Sequence, residues 1–254
     1  MKVDRHHNLF TTLSGDEQKN LTYYINRFLT VHPYAGIYEV DDRQYVSPQN
    51  QDRKKKHFHP SGDCTKCERL LYHERMSDIP PEVFEPKTQA IFKVGSALHA
   101  MMQAWFSEMD KLDGFPNLVG NEVRLYNEEL LMGGYIDSII CMPEDDFETV
   151  VELKTINDRQ FQMLSAPKKE HTLQMGCYLM ERKSPKGIIL YINKNTCELK
   201  EFPVEPMDMM SVIMRWSRVR HAVEAGDISS LGYGCEAGSK EWERCPARDF
   251  CFRG

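Results

Sequence analysis

Asp137 is followed fifteen residues later by Glu152-Leu153-Lys154, and the charged side chains of Asp137, Glu152 and Lys154 carry the clearest chemistry in the 254-residue chain. Two carboxylates offer hard oxygen ligands of the kind that suit Mg²⁺ or Mn²⁺. A lysine beside them can orient a water molecule or stabilise charge developing on a phosphate. Such a set would hydrolyse a phosphodiester. The plainer alternative is a structural ion pair, because charged residues are common in strands and Asp…Glu-x-Lys often arises by chance. The surroundings favour a site. Ile136, Ile139, Ile140, Val150, Val151 and Leu153 read as a buried sheet, where charges are seldom placed without a partner.

These groups need two strands to hold them. Residues 131–142 and 147–156 are rich in β-branched and large apolar side chains, and Pro143-Glu144-Asp145-Asp146 between them is turn chemistry. A hairpin results, with Glu152 and Lys154 on one strand face. Upstream, Ile91, Val94, Leu98, Met101, Met102, Trp105, Phe106 and Met109 recur at helical spacing within residues 88–112. Gly95 and His99 lie one turn apart on that helix. A mid-helix glycine costs about 1 kcal/mol relative to alanine and suits a place where another group comes close. His99 is a candidate metal ligand, the ordinary alternative being a core histidine. Downstream, residues 170–182 read as helix, with Gln174 and Tyr178 at i and i+4 offering an amide and a phenol, or simply an amphipathic face. Strands follow at 186–193 and 197–204, then a helix at 206–225 with a core stripe of Met207, Met210, Ile213, Met214, Val219 and Val223. An earlier strand near 121–127 brings Glu122 to the mouth of the same site.

In order, the chain carries Gly95 and His99, Gly134 and Asp137, Glu152 and Lys154, and Gln174 and Tyr178. This set resembles the RecB-like branch of the PD-(D/E)XK nucleases, over roughly residues 61–254. The resemblance implies an α/β, restriction-endonuclease-like core with a central mixed β-sheet flanked by helices. It implies divalent metal at His99, Asp137, Glu152 and the Leu153 carbonyl, with Lys154 activating water and Gln174 and Tyr178 placing DNA. The acidic motif is Tyr135-Ile136-Asp137, without the proline that names the superfamily, as is usual in this branch.

Eight cysteines raise a separate question: Cys64, Cys67, Cys141, Cys177, Cys197, Cys235, Cys245 and Cys251. The first residues lack an apolar stretch, so no signal peptide is expected, and no run approaches the ~18 apolar residues of a membrane span. A reducing, cytoplasmic compartment follows, in which clustered cysteines are read as metal ligands. Cys141, Cys177 and Cys197 are read as structural. Some RecB-like nucleases, including CRISPR-associated ones, hold a four-iron, four-sulfur (4Fe–4S) cluster with one cysteine before the core and three after it. Cys67 with Arg69 and Tyr72 resembles the leading segment, and Cys245 and Cys251 resemble the last two ligands. Trp242 occupies the usual position of the third, leaving Cys235 or Cys64 as the remaining thiolate. Four thiolates also suit structural Zn²⁺.

At 41% apolar residues the chain suits one substantial core, or one core plus a small extension, and a net charge of −6 is not that of a general nucleic-acid coat protein. Residues 1–60 read as an N-terminal extension to a nuclease domain at 61–254, with a helix from Asp16 to Leu29 whose Leu21, Tyr24, Ile25 and Phe28 share a face. The basic run Arg53-Lys54-Lys55-Lys56-His57 is a candidate phosphate contact or a solvated linker. The expected function is a Mg²⁺- or Mn²⁺-dependent exonuclease on single-stranded DNA or DNA ends. It would serve recombination, replication, repair or CRISPR adaptation, with a helicase, recombinase or adaptation protein as partner; some relatives form oligomers. The rival is a non-catalytic nucleic-acid-binding or adaptor module acting through a helicase. A compact chain without helicase motifs would suit a virus or mobile element.

Overall fold

The computed structural model describes residues 19–31, 57–76, 79 and 84–251. Its centre is a five-stranded sheet in the order β1 (Asn117–Asn127), β2 (Met132–Cys141), β3 (Glu148–Ile156), β4 (Lys186–Asn193), β5 (Leu199–Val204). All neighbours pair antiparallel except β3 and β4, which are parallel. A parallel pair needs a crossover. Two helices supply it, α5 (Asp158–Gln162) and α6 (Lys169–Arg182). β3 and β4 are apolar on both faces because helices cover both.

Alternate strand residues feed two cores, as a period of two requires. Val150, Ile189 and Tyr191 pack with Met175, Tyr178 and Leu179 of α6 and with Val212, Trp216 and Val219 of α7 (Met210–Ala225). Val151, Leu153, Ile188, Leu190 and Ile192 pack against Met102, Phe106 and Met109 of α4 (Pro86–Met109) and against α1 (Leu21–Val31). The face expected for α1 is the buried one: Leu21, Tyr24, Ile25 and Phe28. Short helices α2 (Pro60–Asp63) and α3 (Glu68–Met76) precede α4, and α8 (Lys240–Glu243) and α9 (Arg248–Cys251) close the described chain. Phe58 bridges to Met132 of β2. Among the described residues no helix is long and apolar enough to cross a membrane.

Two apolar stripes differ from their helical spacing. In α4, Ile91 and Val94 are 46% and 50% exposed. Only the C-terminal half of that helix carries fully buried apolar side chains (Met102, Phe106 and Met109), so periodicity there outruns the surface available to bury it. In α7, Met210 and Met214 are 54% and 52% exposed, and Val212, Trp216, Val219 and Ala222 form the buried face instead. That helix begins at Met210, which leaves Met207 ahead of it and turns the stripe toward Trp216, stacked on Phe58. Residues 16–18 of the first expected helix and the basic residues Arg53–Lys56 lie outside the described residues.

Candidate active site

The ladder between β2 and β3 ends at Ser138 and Val151. Beyond that pair the strands part, and Asp137 Oδ2 accepts the Leu153 N–H at 2.7 Å, a side chain standing in for a backbone acceptor. β3 meanwhile stays paired with β4, Glu152 beside Ile189 and Lys154 beside Tyr191. The gap between the parted strands is where the acids meet. Glu152 is 3% exposed, and its Oε1 accepts from Lys154 Nζ at 2.7 Å and Gln174 Nε2 at 2.6 Å. Its Oε2 is buried with no hydrogen-bond partner among the described residues. Burial, then the negative charge of Asp137, raises Glu152 to about 7, although Lys154 and His99 pull the other way.

His99 Nδ1 stands 3.6 Å from Asp137 Oδ1. Burial alone would lower the imidazole, but the Asp137 carboxylate outweighs it and holds the ring above its usual value. Gly95, one turn earlier, is packed so that a Cβ there would come within 3.0 Å of Thr155 Oγ1, which accounts for glycine at this crossing of helix and sheet. Glu122 sits in β1 with φ of +49°, a left-handed conformation uncommon for glutamate. It follows an irregularity in the β1–β2 register between Leu118 and Gly120. Burial raises its carboxyl, and Asp137 adds to the shift. The strain aims Glu122 at Gln103, whose Nε2 donates to Glu122 Oε1 at 2.8 Å and to the Asp137 carbonyl at 3.0 Å.

From the opposite side, α6 presents Gln174 and Tyr178. Gln174 Nε2 donates to the Tyr178 hydroxyl at 2.9 Å, and that hydroxyl donates to the Tyr135 carbonyl at 3.0 Å. Burial pushes the Tyr178 phenol well up, with Glu152 adding to it, so the phenol keeps its proton. His99, Glu122, Asp137, Glu152, Lys154, Gln174 and Tyr178 therefore form one connected cluster, linked through Gln103 and the Leu153 N–H. Spacing alone did not mark Gln103. It lies at i+4 from His99, so the shared helix face was the available clue. Among the described residues no three His, Cys, Asp or Glu side chains close into a group able to hold a metal ion as they stand. The donor chemistry nonetheless fits a hard cation, because the buried Glu152 Oε2 has no partner among the described residues and its carboxyl feels the charge of Asp137, a pair of oxygen donors that a cation would satisfy.

The cysteines divide into two sets. Cys64 points into the core, its Sγ 3.7 Å from Cys177 Sγ, while Arg215 reaches the Cys64 carbonyl. Cys67, Cys235, Cys245 and Cys251 gather elsewhere. Burial raises the Cys235 thiol first, then the nearby thiols of Cys245 and Cys67. Burial likewise raises Cys251, with Arg69 opposing and Cys67 and Cys235 adding. Arg69 of α3 draws the C-terminal part of the chain in by donating to the Leu231 carbonyl at 2.9 Å and the Cys251 carbonyl at 3.0 Å. Its guanidinium lies 3.8 Å from the Tyr233 ring centroid. Gly234 presses so closely on Cys67 that any Cβ would collide with the cysteine side chain. Cys67 Sγ also accepts the Leu70 N–H at 3.4 Å. Of the two candidates for the fourth thiol, Cys235 stands with the others and Cys64 does not.

Neither a family model nor a curated protein matches the sequence. Among solved structures, the chain is similar to LHK-Exo in complex with dAMP, with a TM-score of 0.50 and 16% identity over 69% of this chain and 91% of that one. A second structure, of the alkaline exonuclease LHK-Exo from Laribacter hongkongensis, gives a TM-score of 0.48 and 14% identity over the same shares. At such identity the first likeness establishes a shared fold, an α/β core around a mixed sheet.

Proposed function

We propose that the chain is a divalent-metal-dependent nuclease that hydrolyses phosphodiester bonds in DNA, acting on single strands or free ends. The observation that carries this reading is Glu152: a carboxylate buried at 3% exposure, one oxygen without a partner among the described residues, near a second carboxylate and bonded to a lysine. Groups in such costly surroundings are retained for chemistry more often than for stability. The fold shared with an alkaline exonuclease supports the same reading.

Asp137, Glu152, the His99 ring and the Leu153 carbonyl would hold one or two Mg²⁺ or Mn²⁺ ions, which supply Lewis acidity to the scissile phosphate and lower the pKa of a bound water. The remaining roles belong to side chains. Lys154, paired with Glu152 Oε1, carries a positive charge to the place where negative charge builds on the phosphate and positions the attacking water. Gln174 holds Glu152 Oε1 from α6 and is itself set by the Tyr178 hydroxyl, which leaves Oε2 as the oxygen available to a cation. Glu122 completes the acidic lining, held by Gln103.

Cys67, Cys235, Cys245 and Cys251 make up a second, structural centre. The family resemblance favours an iron–sulfur cluster there, and zinc is the alternative. Either would fasten α3 to the C-terminal segment and close a long loop. The reading is tested by digesting end-labelled linear DNA and covalently closed circular DNA side by side with Mg²⁺ or Mn²⁺. Release of labelled nucleotides from linear DNA alone is expected of an exonuclease. Both substrates surviving in either metal would refute the proposal.

A further inference from the structure

Resting on the nuclease reading, we propose that His171 is a further substrate contact: a neutral imidazole protonated at Nε2 that donates a hydrogen bond to a phosphate oxygen of the strand flanking the scissile bond. His171, Gln174 and Tyr178 fall at i, i+3 and i+7 of α6 and so line one stripe. Gln174 and Tyr178 brace Glu152, and His171 continues the stripe one turn further toward the helix start. There it faces the β3–β4 pair Lys154 and Tyr191.

The tautomer follows from counting protons on one buried hydroxyl. Tyr191 is 0% exposed. Its oxygen lies 3.0 Å from the Lys168 backbone nitrogen and 2.7 Å from His171 Nδ1. The Lys168 N–H can only donate, so Tyr191 accepts there. The phenol proton then has a single acceptor among the described residues, His171 Nδ1. Were Nδ1 itself protonated, the phenol would accept twice and its own buried O–H would be left without an acceptor, which folded proteins avoid. The ring proton therefore sits on Nε2.

Two effects keep both partners in these states. Burial raises the Tyr191 phenol, which retains its proton. Burial and the nearby Lys154 ammonium lower His171 to about 4, so the ring is uncharged at neutral pH. The imidazole is half-buried, and Nε2 has no hydrogen-bond partner among the described residues. A neutral N–H beside the Lys154 charge can bind a phosphate oxygen without competing for Glu152. Its natural acceptor is the phosphate next along the strand from the one being cleaved.

The test uses full-length protein. With ¹⁵N-labelled histidine, the His171 signals, assigned by their loss in His171→Gln, are expected to show a neutral ring protonated at Nε2, and Tyr191→Phe is expected to abolish that preference. In cleavage assays on a single-stranded oligonucleotide, His171→Ala is expected to raise KM about tenfold while kcat changes less than about threefold, the pattern of lost ground-state binding. His171→Gln, which keeps an N–H donor at similar reach, should recover most of the KM. A ring protonated at Nδ1, or an unaltered KM in His171→Ala, overturns the proposal. Wild-type protein that cleaves no DNA would sink the nuclease reading and the substrate role together. The tautomer, read without DNA, separates that failure from an error in the proton assignment.

Discussion

Asp137 Oδ2 holds the backbone N–H of Leu153 at 2.7 Å, just past Ser138 and Val151, the last paired residues of β2 and β3. One carboxylate oxygen thus keeps the parted strands in position, and the other, Oδ1, faces His99 across 3.6 Å. The two oxygens have separate duties, and substitutions can divide them.

Asp137→Asn can keep its carbonyl oxygen on Leu153 while replacing Oδ1 by an amide that binds no cation. Cleavage should fall by about 10²-fold or more, with the thermal midpoint within a few degrees of wild type. Lys154→Ala should lose activity comparably, because its amine meets Glu152 at the site rather than in the core. A Lys154→Ala protein cleaving at the wild-type rate would remove the lysine from the mechanism.

Glu152 is raised to about 7 from an ordinary 4.5. The folded protein therefore holds this proton more tightly than the unfolded chain. The group's favourable contribution to folding is complete below about 4.5 and is lost as pH rises through about 7. Glu152→Gln, assayed in chelator, should melt several degrees above wild type at pH 8, and the gap should close toward pH 4.5. Cation binding needs the ionised form, so at sub-saturating metal wild-type cleavage should fall as the pH drops, and raising the metal concentration should move that fall to lower pH. Calorimetry and a pH–rate profile check the two halves independently.

Asp137, Glu152 and Lys154 are legible in the sequence because their strands are strongly apolar and the turn at Pro143 is unambiguous. Gln174 and Tyr178 are legible as a pair at i and i+4. Where the sequence misleads, the reason is geometric. Ile91 and Val94 keep helical spacing past the point where α4 has a surface to cover, and Met210 and Met214 share spacing with residues that do reach the core. Periodicity records which face is apolar, not where its partner ends. That Cys235 rather than Cys64 lies near Cys67 is not legible from spacing, because the C-terminal part of the chain is held by Arg69 at Leu231 and Cys251, contacts across more than 160 residues. Gln103 carries no motif at all; its role exists only once Glu122 adopts φ of +49° opposite it.

Gln103→Ala leaves Glu122 and the Asp137 carbonyl without their shared donor. Activity should drop about 10- to 100-fold, as when supports of metal ligands are removed. Folding should change little, since Gln103 bears on the cleft rather than on the main apolar clusters. An unchanged kcat/KM would show that Glu122 needs no such support.

Cys67→Ser, Cys235→Ser, Cys245→Ser and Cys251→Ser should each lower bound iron, or zinc, in anaerobically purified protein and reduce its thermal midpoint. Cys64→Ser should leave metal content intact, because Cys64 faces Cys177 instead. Elemental analysis with acid-labile sulfide distinguishes iron–sulfur from zinc. Metal lost from Cys64→Ser but kept in Cys235→Ser would reverse the assignment.

The most direct measurement is calorimetric titration of Mn²⁺ into the wild-type protein, Asp137→Asn, Glu152→Gln and His99→Ala, without DNA. Wild type should bind Mn²⁺ in the cleft, the two acid variants should lose that binding, and His99→Ala should bind at least about tenfold more weakly. Equal Mn²⁺ affinity in all four proteins would contradict the convergence of these side chains on a cation.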